Sequence, residues 1–123
     1  MADYMLLLHT TPAGNRWSPE EMQTVIQRYA NWSKELSAAG RLVGGHKLRD
    51  AEGRVLKRQS NQTTVTDGPY AELKEVVGGY FHITADTYED AVAIAQDCPH
   101  LDYGGTIEVR SIERAASRHE QPA

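Results

Sequence analysis

Apolar and polar residues change rhythm several times along this chain, and each change marks an element. Residues 4–10 begin with Tyr4, Met5, Leu6, Leu7 and Leu8, apolar on both faces until His9. That predicts a central strand covered on both sides. After a loop at 11–15, Ser18, Pro19 and Glu21 form an N-cap, a first-turn proline and a Ser-x-x-Glu capping box. Met22, Val25, Ile26, Tyr29, Trp32 and Leu36 then recur at helical spacing and predict an apolar stripe closed by Gly40.

A second strand is expected from Arg41 to Leu48, interrupted at Gly44-Gly45. Residues 50–53 read as a turn, 54–57 as a returning strand, and 63–66 as a β-branched extended segment ending in the Asp67-Gly68-Pro69 turn. Residues 72–75 suit a short helical turn, and 79–84 the next strand. A second helix follows, capped by Asp86 or Thr87, with Ala91, Ile94, Ala95 and Cys98 as its stripe and Pro99 as its stop. Gly104-Gly105 leads into a last strand over 106–110. The order β-α-β-(β-hairpin)-β-α-β predicts an α+β, ferredoxin-like (split βαβ) antiparallel sheet with both helices on one face and an inserted hairpin. One domain over residues 1–113 and a frayed tail over 114–123 are expected.

Strand alternation sorts the polar chemistry. Phe81, Ile83, Ile107 and Val109 belong under the helices, which sends Tyr80, His82, Glu108 and Arg110 to the opposite face. His9 joins them if the parity of the first strand runs that way. A free face of this kind is wet and polar by default. The aromatic Tyr80 and the apolar first strand favour a partner, and burial would require Glu108 and Arg110 to pair.

Composition narrows the classes of function. A chain of 123 residues with 40% apolar and 24% charged content supports one modest core. A net charge of −4 argues against direct nucleic-acid binding. Arg41, Lys47, Arg49, Arg54, Lys57 and Arg58 form a local basic stretch that reads as a solvated hairpin face. No apolar run approaches the roughly 20 residues that span a bilayer. The acidic start at Met1, Ala2 and Asp3 lacks the features of a secretory leader, and Cys98 has no second cysteine to pair with, so a reducing cytoplasm is expected.

His82 is the first acid–base candidate, set mid-strand on the polar face, against a reading as a satisfied interface histidine. His100 follows Cys98-Pro99 at a sharp turn that would present it at a pocket mouth, or place a cation at a helix C-terminus. Asp67 either accepts hydrogen bonds from its own turn or sits at a pocket edge with His82 or His100. Cys98, at a helix C-terminus on an apolar stripe, reads as a buried structural thiol. His9, His46, His82, His100 and His119 show no close metal-ligand spacing. Neither a metal nor a cofactor is expected.

The run Asp67-Gly68-Pro69-Tyr70, continuing through Glu72 and Lys74 to Gly78-Gly79, resembles the signature of the DGPF proteins, a subgroup of the YCII-related family. Tyrosine stands where phenylalanine is usual. The final Gly-Gly-Thr-Ile-Glu-Val-Arg strand extends the resemblance to about Ile112. It implies a ferredoxin-like fold that pairs sheet against sheet as a dimeric α+β barrel. It also implies a bacterial type of protein linked to regulation by extracytoplasmic-function sigma factors. Some YCII-related proteins carry a histidine in the first helix and an aspartate before the proline that ends the second. Those positions fall at Tyr29 and Cys98 here, and neither can do that dyad's chemistry.

Three readings follow. The first is a homodimeric accessory or regulatory protein that binds a small molecule through His9, Asp67, Tyr80, Glu108 and Arg110. The alternative is a cofactor-free isomerase or lyase acting on a small carbonyl or phenolic substrate. There His82 or His100 is the base, and Arg110 or Tyr80 holds an oxyanion. The third is an assembly module without a ligand.

Overall fold

Six strands and two helices follow one another as β1 (Ala2–Thr10), α1 (Pro19–Ala38), β2 (Leu42–Lys47), β3 (Arg54–Gln59), β4 (Gln62–Asp67), β5 (Val76–Ala85), α2 (Tyr88–Gln96) and β6 (Thr106–Ser111). A computed structural model describes residues 1–11, 17–49, 52–67 and 75–113. The expected turn over 50–53 lies partly outside these residues. The Gly68-Pro69-Tyr70 bend, most of the helical turn at 72–75 and the tail at 114–123 lie outside them as well.

Four strands form one sheet in the order β2-β5-β1-β6, every neighbouring pair antiparallel. With β3 and β4 set aside, this is the ferredoxin-like order: the first and third core strands, β1 and β5, lie at the centre, β2 and β6 lie at the edges, and the βα units interleave. β3 and β4 form a separate two-stranded hairpin. Its two-residue turn is Ser60-Asn61, both with positive φ (49° and 70°), the backbone signature of a type I′ connection.

α1 starts where its capping box predicts. The Glu21 N–H donates to Ser18 Oγ at 3.1 Å, and the Ser18 N–H donates to Glu21 Oε1 at 3.0 Å. A cap of this kind stabilises a helix by about 1 kcal/mol. The other end closes through Gly40 at φ 73°. The Arg41 N–H reaches back to Leu36 O and the Gly40 N–H to Ser37 O, the paired bonds of a Schellman motif. Thr87 caps α2, accepting from the Asp90 N–H, and Pro99 opens a 3-10 turn (Pro99–Tyr103) that the apolar pattern did not announce.

The core lies between the helices and one sheet face. Tyr4, Leu6 and Leu8 from β1 and Ile83 and Ala85 from β5 meet Trp32 and Leu36 of α1, Ala91 and Ala95 of α2, and Cys98. Trp32 meets Phe81 edge-on with ring centroids 4.9 Å apart. Full burial of a side chain such as Leu6 or Ile83 contributes about 1.5–3 kcal/mol.

Three expectations need correction. β1 is covered on one side only: Met5 and Leu7 alternate outward and remain half-buried. The α1 stripe is narrower than its apolar pattern. Val25, Trp32 and Leu36 are buried, but Met22 and Ile26 are 40% and 59% exposed. Ile26 is turned about 100° around the helix from Val25, and Met22 lies a turn before the first buried residue. Finally, β2 runs through Gly44-Gly45 unbroken, with a register irregularity between Leu42 and Gly44 instead of a gap.

Candidate functional site

The face of the sheet turned away from the helices carries three of the four histidines among the described residues, His9, His46 and His82. Strand register arranges it in rows. Gly44, His82, Met5 and Arg110 stand side by side across the four strands, and His46, Tyr80, Leu7 and Glu108 form the next row. Because paired residues point to the same face, Tyr80, His82, Glu108 and Arg110 share this surface, as alternation predicts. At the following row β1 shifts register between Leu8 and His9, and His9 pairs with Thr106.

His9 does join the polar face. Its Nε2–H donates to Glu108 Oε1 at 3.1 Å, and Arg110 Nη1 donates to Glu108 Oε2 at 3.1 Å. The hydrogen bond from His9, and then that from Arg110, hold the Glu108 carboxyl below the usual carboxylate range. Thr106 Oγ1 donates to Glu75 Oε2 at 3.2 Å and brings a further carboxylate to this end of the face.

On the other flank, the Tyr80 hydroxyl and His46 Nδ1 are 2.8 Å apart. His46 stands two residues beyond Gly44 on the same face. The register irregularity between Leu42 and Gly44 sets it there: Leu42 pairs with Ile83 on the core face, so simple alternation counted from Leu42 would send His46 to the wrong side. Asp3 was likewise outside the expected set, because it precedes the apolar run of β1.

His82 lies between these clusters, its side chain 29% exposed. Its Nε2 is buried and has no hydrogen-bond partner in the chain, alone in this among the described residues. The nearest acid, Asp3 Oδ1, is 3.8 Å away, beyond hydrogen-bonding length. Beside the ring in register is Gly44, and a Cβ built on Gly44 meets nothing within 4 Å. An unpaired polar atom on a face with open space at the neighbouring strand position is suited to receive a ligand atom.

His100 has the opposite surroundings. It is 8% exposed, with Nε2 2.8 Å from the His9 carbonyl oxygen and Nδ1 3.1 Å from the Tyr29 hydroxyl. A carbonyl only accepts, so Nε2 carries the proton, and in the neutral ring Nδ1 accepts from Tyr29. Gly105 is in contact with the ring: a Cβ there would lie 2.1 Å from Nε2. The turn therefore buries His100 and does not offer it at a pocket mouth. Both nitrogens hold the fold together.

Tyr29 and Cys98 flank this buried histidine. Burial raises the Tyr29 phenol well above its ordinary range and pushes the Cys98 thiol up to about 11. Cys98 is 1% exposed, consistent with a structural thiol. Asp67 ends β4, paired with Arg54 on the hairpin, which is a different sheet from that of His82. Among the described residues, no group of histidine, cysteine and carboxylate side chains is arranged to hold a metal ion.

A family model for the YCII-related domain matches residues 2–116, nearly the whole chain. The chain belongs to the YCII-related domain family. A relative in this comparison, an uncharacterised protein of Rhizobium meliloti (strain 1021), is 29% identical over 98 residues, covering 78% of this chain and 79% of its own. Membership of the YCII-related family agrees with the βαβ plan and the strand order. No helix among the described residues is long and apolar enough to cross a membrane. In this YCII-related chain the helix side of the sheet is closed by a satisfied Tyr29–His100 pair, and the unsatisfied chemistry is on the far side.

Proposed function

We propose that this protein is a cytoplasmic homodimer of the DGPF type that binds a small polar molecule on the uncovered sheet face, in an accessory or regulatory role. The buried, unpartnered Nε2 of His82 carries this reading. A native chain seldom leaves such an atom unpaired, since an unmet hydrogen bond costs about 1–3 kcal/mol. A ligand atom seated against Gly44 removes that cost. Met5 and Leu7 supply an apolar floor, Tyr80–His46 closes one flank, and His9–Glu108–Arg110 closes the other. The homodimer supplies the cover that the half-buried Met5 and Leu7 lack. A small carboxylic acid or phenol suits a face that offers the open His82 imidazole, the Arg110 guanidinium and the Tyr80 phenol. A link to sigma-factor regulation is consistent with an accessory role.

The test is thermal unfolding of wild type and His82→Asn across a panel of small carboxylic acids and phenols. A ligand present at 100 times its Kd adds roughly 2.7 kcal/mol, and that gain is expected in wild type and lost in the variant. No stabilisation of wild type by any member sinks the binding reading.

A second reading, a cofactor-free isomerase or lyase, draws on the approach of Asp3 to His82. A carboxylate 3.8 Å from an imidazole can tighten to a hydrogen bond on closure and orient the ring as a base. His82 is the base in this reading, and His100 is left out because both its nitrogens are engaged. The check is exchange of a ligand's α-proton for deuterium, followed by NMR. Binding without exchange leaves the protein a binder.

A further inference from the structure

The β3–β4 hairpin is the part of the molecule that its own fold does not explain. Every described side chain on it is exposed, including Val55 (39%), Leu56 (63%) and Val65 (52%). Leu56 pairs with Val65, so the two make one apolar patch on one face of the ribbon, with Arg54 and Arg58 at its ends on the same face. A lone two-stranded hairpin is marginally stable in water at best. This one nevertheless has a regular register over all six pairs and a well-formed two-residue turn. A ribbon with an apolar pair on its surface gains stability by docking.

We infer that the hairpin is an arm that packs its Leu56–Val65 face onto the uncovered sheet face of a second copy of this chain, closing the site around His82. The inference rests on the homodimer reading and names the element of the partner that completes the site.

Three observations choose a second copy as the occupant. The apolar patch on the arm matches the apolar floor, Met5 and Leu7, at the centre of the sheet face. The charges complement each other: the arm's docking face carries Arg54 and Arg58, and the sheet face carries Asp3, Glu75 and Glu108 against Arg110. Finally, pairing of the sheet faces alone would leave Leu56 and Val65 in solvent, and docking on the second copy covers them.

Size decides how the arm acts. Six-residue strands span roughly 20 Å, so one arm covers a few hundred Å², well short of the roughly 800 Å² per partner of a standard interface. Two reciprocal arms, with the sheet faces between them, approach that area. The arms thus seal an interface that the two sheets share.

The experiment uses the full-length chain in two differently tagged forms, one Leu56→Cys and the other Met5→Cys, mixed and mildly oxidised. A mixed-tag disulfide between them is the expected product, with buried Cys98 remaining a free thiol. Cross-links only between two Leu56→Cys chains would mean that the arms pair with each other, and would overturn the inference. Sedimentation over a range of concentrations supplies the second measurement. Leu56→Asp should weaken the wild-type dimer by at least about 30-fold, the loss that accompanies removal of a strong interface contact. Its far-ultraviolet circular dichroism should be unchanged. A wild-type dimer that Leu56→Asp leaves intact overturns the arm and spares the homodimer. A wild type that stays monomeric at every concentration overturns both.

Discussion

On one face of the four-stranded sheet, Tyr4, Leu6, Leu8 and Ile83 lie beneath two helices. On the other, residues of the same strands, Met5, Leu7, Tyr80 and His82, keep partial contact with solvent. The same strands thus build two environments with different standards for polar groups. On the helix side His100, the one buried polar residue among those described, has a partner for each nitrogen, and burial raises both Tyr29 and Cys98 towards their neutral forms. On the far side, charged groups pair where they can, as Glu108 does twice, and His82 is left with an atom unmet. A covered face is finished by the fold. An uncovered face with an unmet buried atom is waiting for something outside it.

The largest expected effect breaks the comparison at β1. Leu6→Ala removes a fully buried side chain and should cost about 2–5 kcal/mol in denaturant unfolding. Leu7→Ala, one residue along and on the other face, should cost less than half as much in the monomer. Equal losses would mean that the far face is as fully buried as the core, and the comparison would fail.

Gly105→Ala probes the helix side more finely. Its methyl group would displace the His100 ring and with it two hydrogen bonds, an expected loss of about 1–3 kcal/mol. A slowly exchanging His100 Nε2 proton in the wild-type NMR spectrum should disappear with the substitution. If stability and that signal both survive, His100 is not locked as described.

The smallest effect belongs to Glu108 and appears in acid. Its hydrogen bonds to His9 and Arg110 favour the carboxylate, so the folded chain takes up this proton at lower pH than the unfolded chain, whose Glu titrates near 4.5. As pH falls below neutrality the unfolded state binds more protons, and stability drains away. Glu108 therefore contributes fully above its unfolded value, and the contribution is lost as pH falls through the depressed folded value. Glu108→Gln should match wild type least above pH 4.5 and converge with it below, as read from denaturation midpoints across pH. A constant difference across that range would remove the electrostatic explanation.

The elements were legible because each has a local cause. The Ser18–Glu21 capping box, the Gly40 closure and the Thr87 cap act within a few residues of themselves, and the alternation in β5 and β6 separates Phe81 and Ile83 from Tyr80 and His82 without any knowledge of the partner strand. Other features depended on distant residues. The 3-10 turn that buries His100 is held by Tyr29 and by the His9 carbonyl, 71 and 91 positions away in the chain. Local patterning cannot distinguish a histidine held there from one facing a pocket. His46 was overlooked because the register irregularity that decides its face is set only by pairing with β5.

Period, caps and turns in the chain set the order of elements, the ferredoxin-like plan and the faces of β5 and β6, whereas the cover over β1 and the parity of β2 came from their neighbours. Only the tertiary structure decided which histidine is finished and which is open. That outcome depends on whether a carbonyl, a hydroxyl or nothing lies within hydrogen-bonding distance of a ring nitrogen. It made His100 a strut, left His82 beside the gap at Gly44, and set the Leu56–Val65 hairpin out in solvent with its apolar pair uncovered.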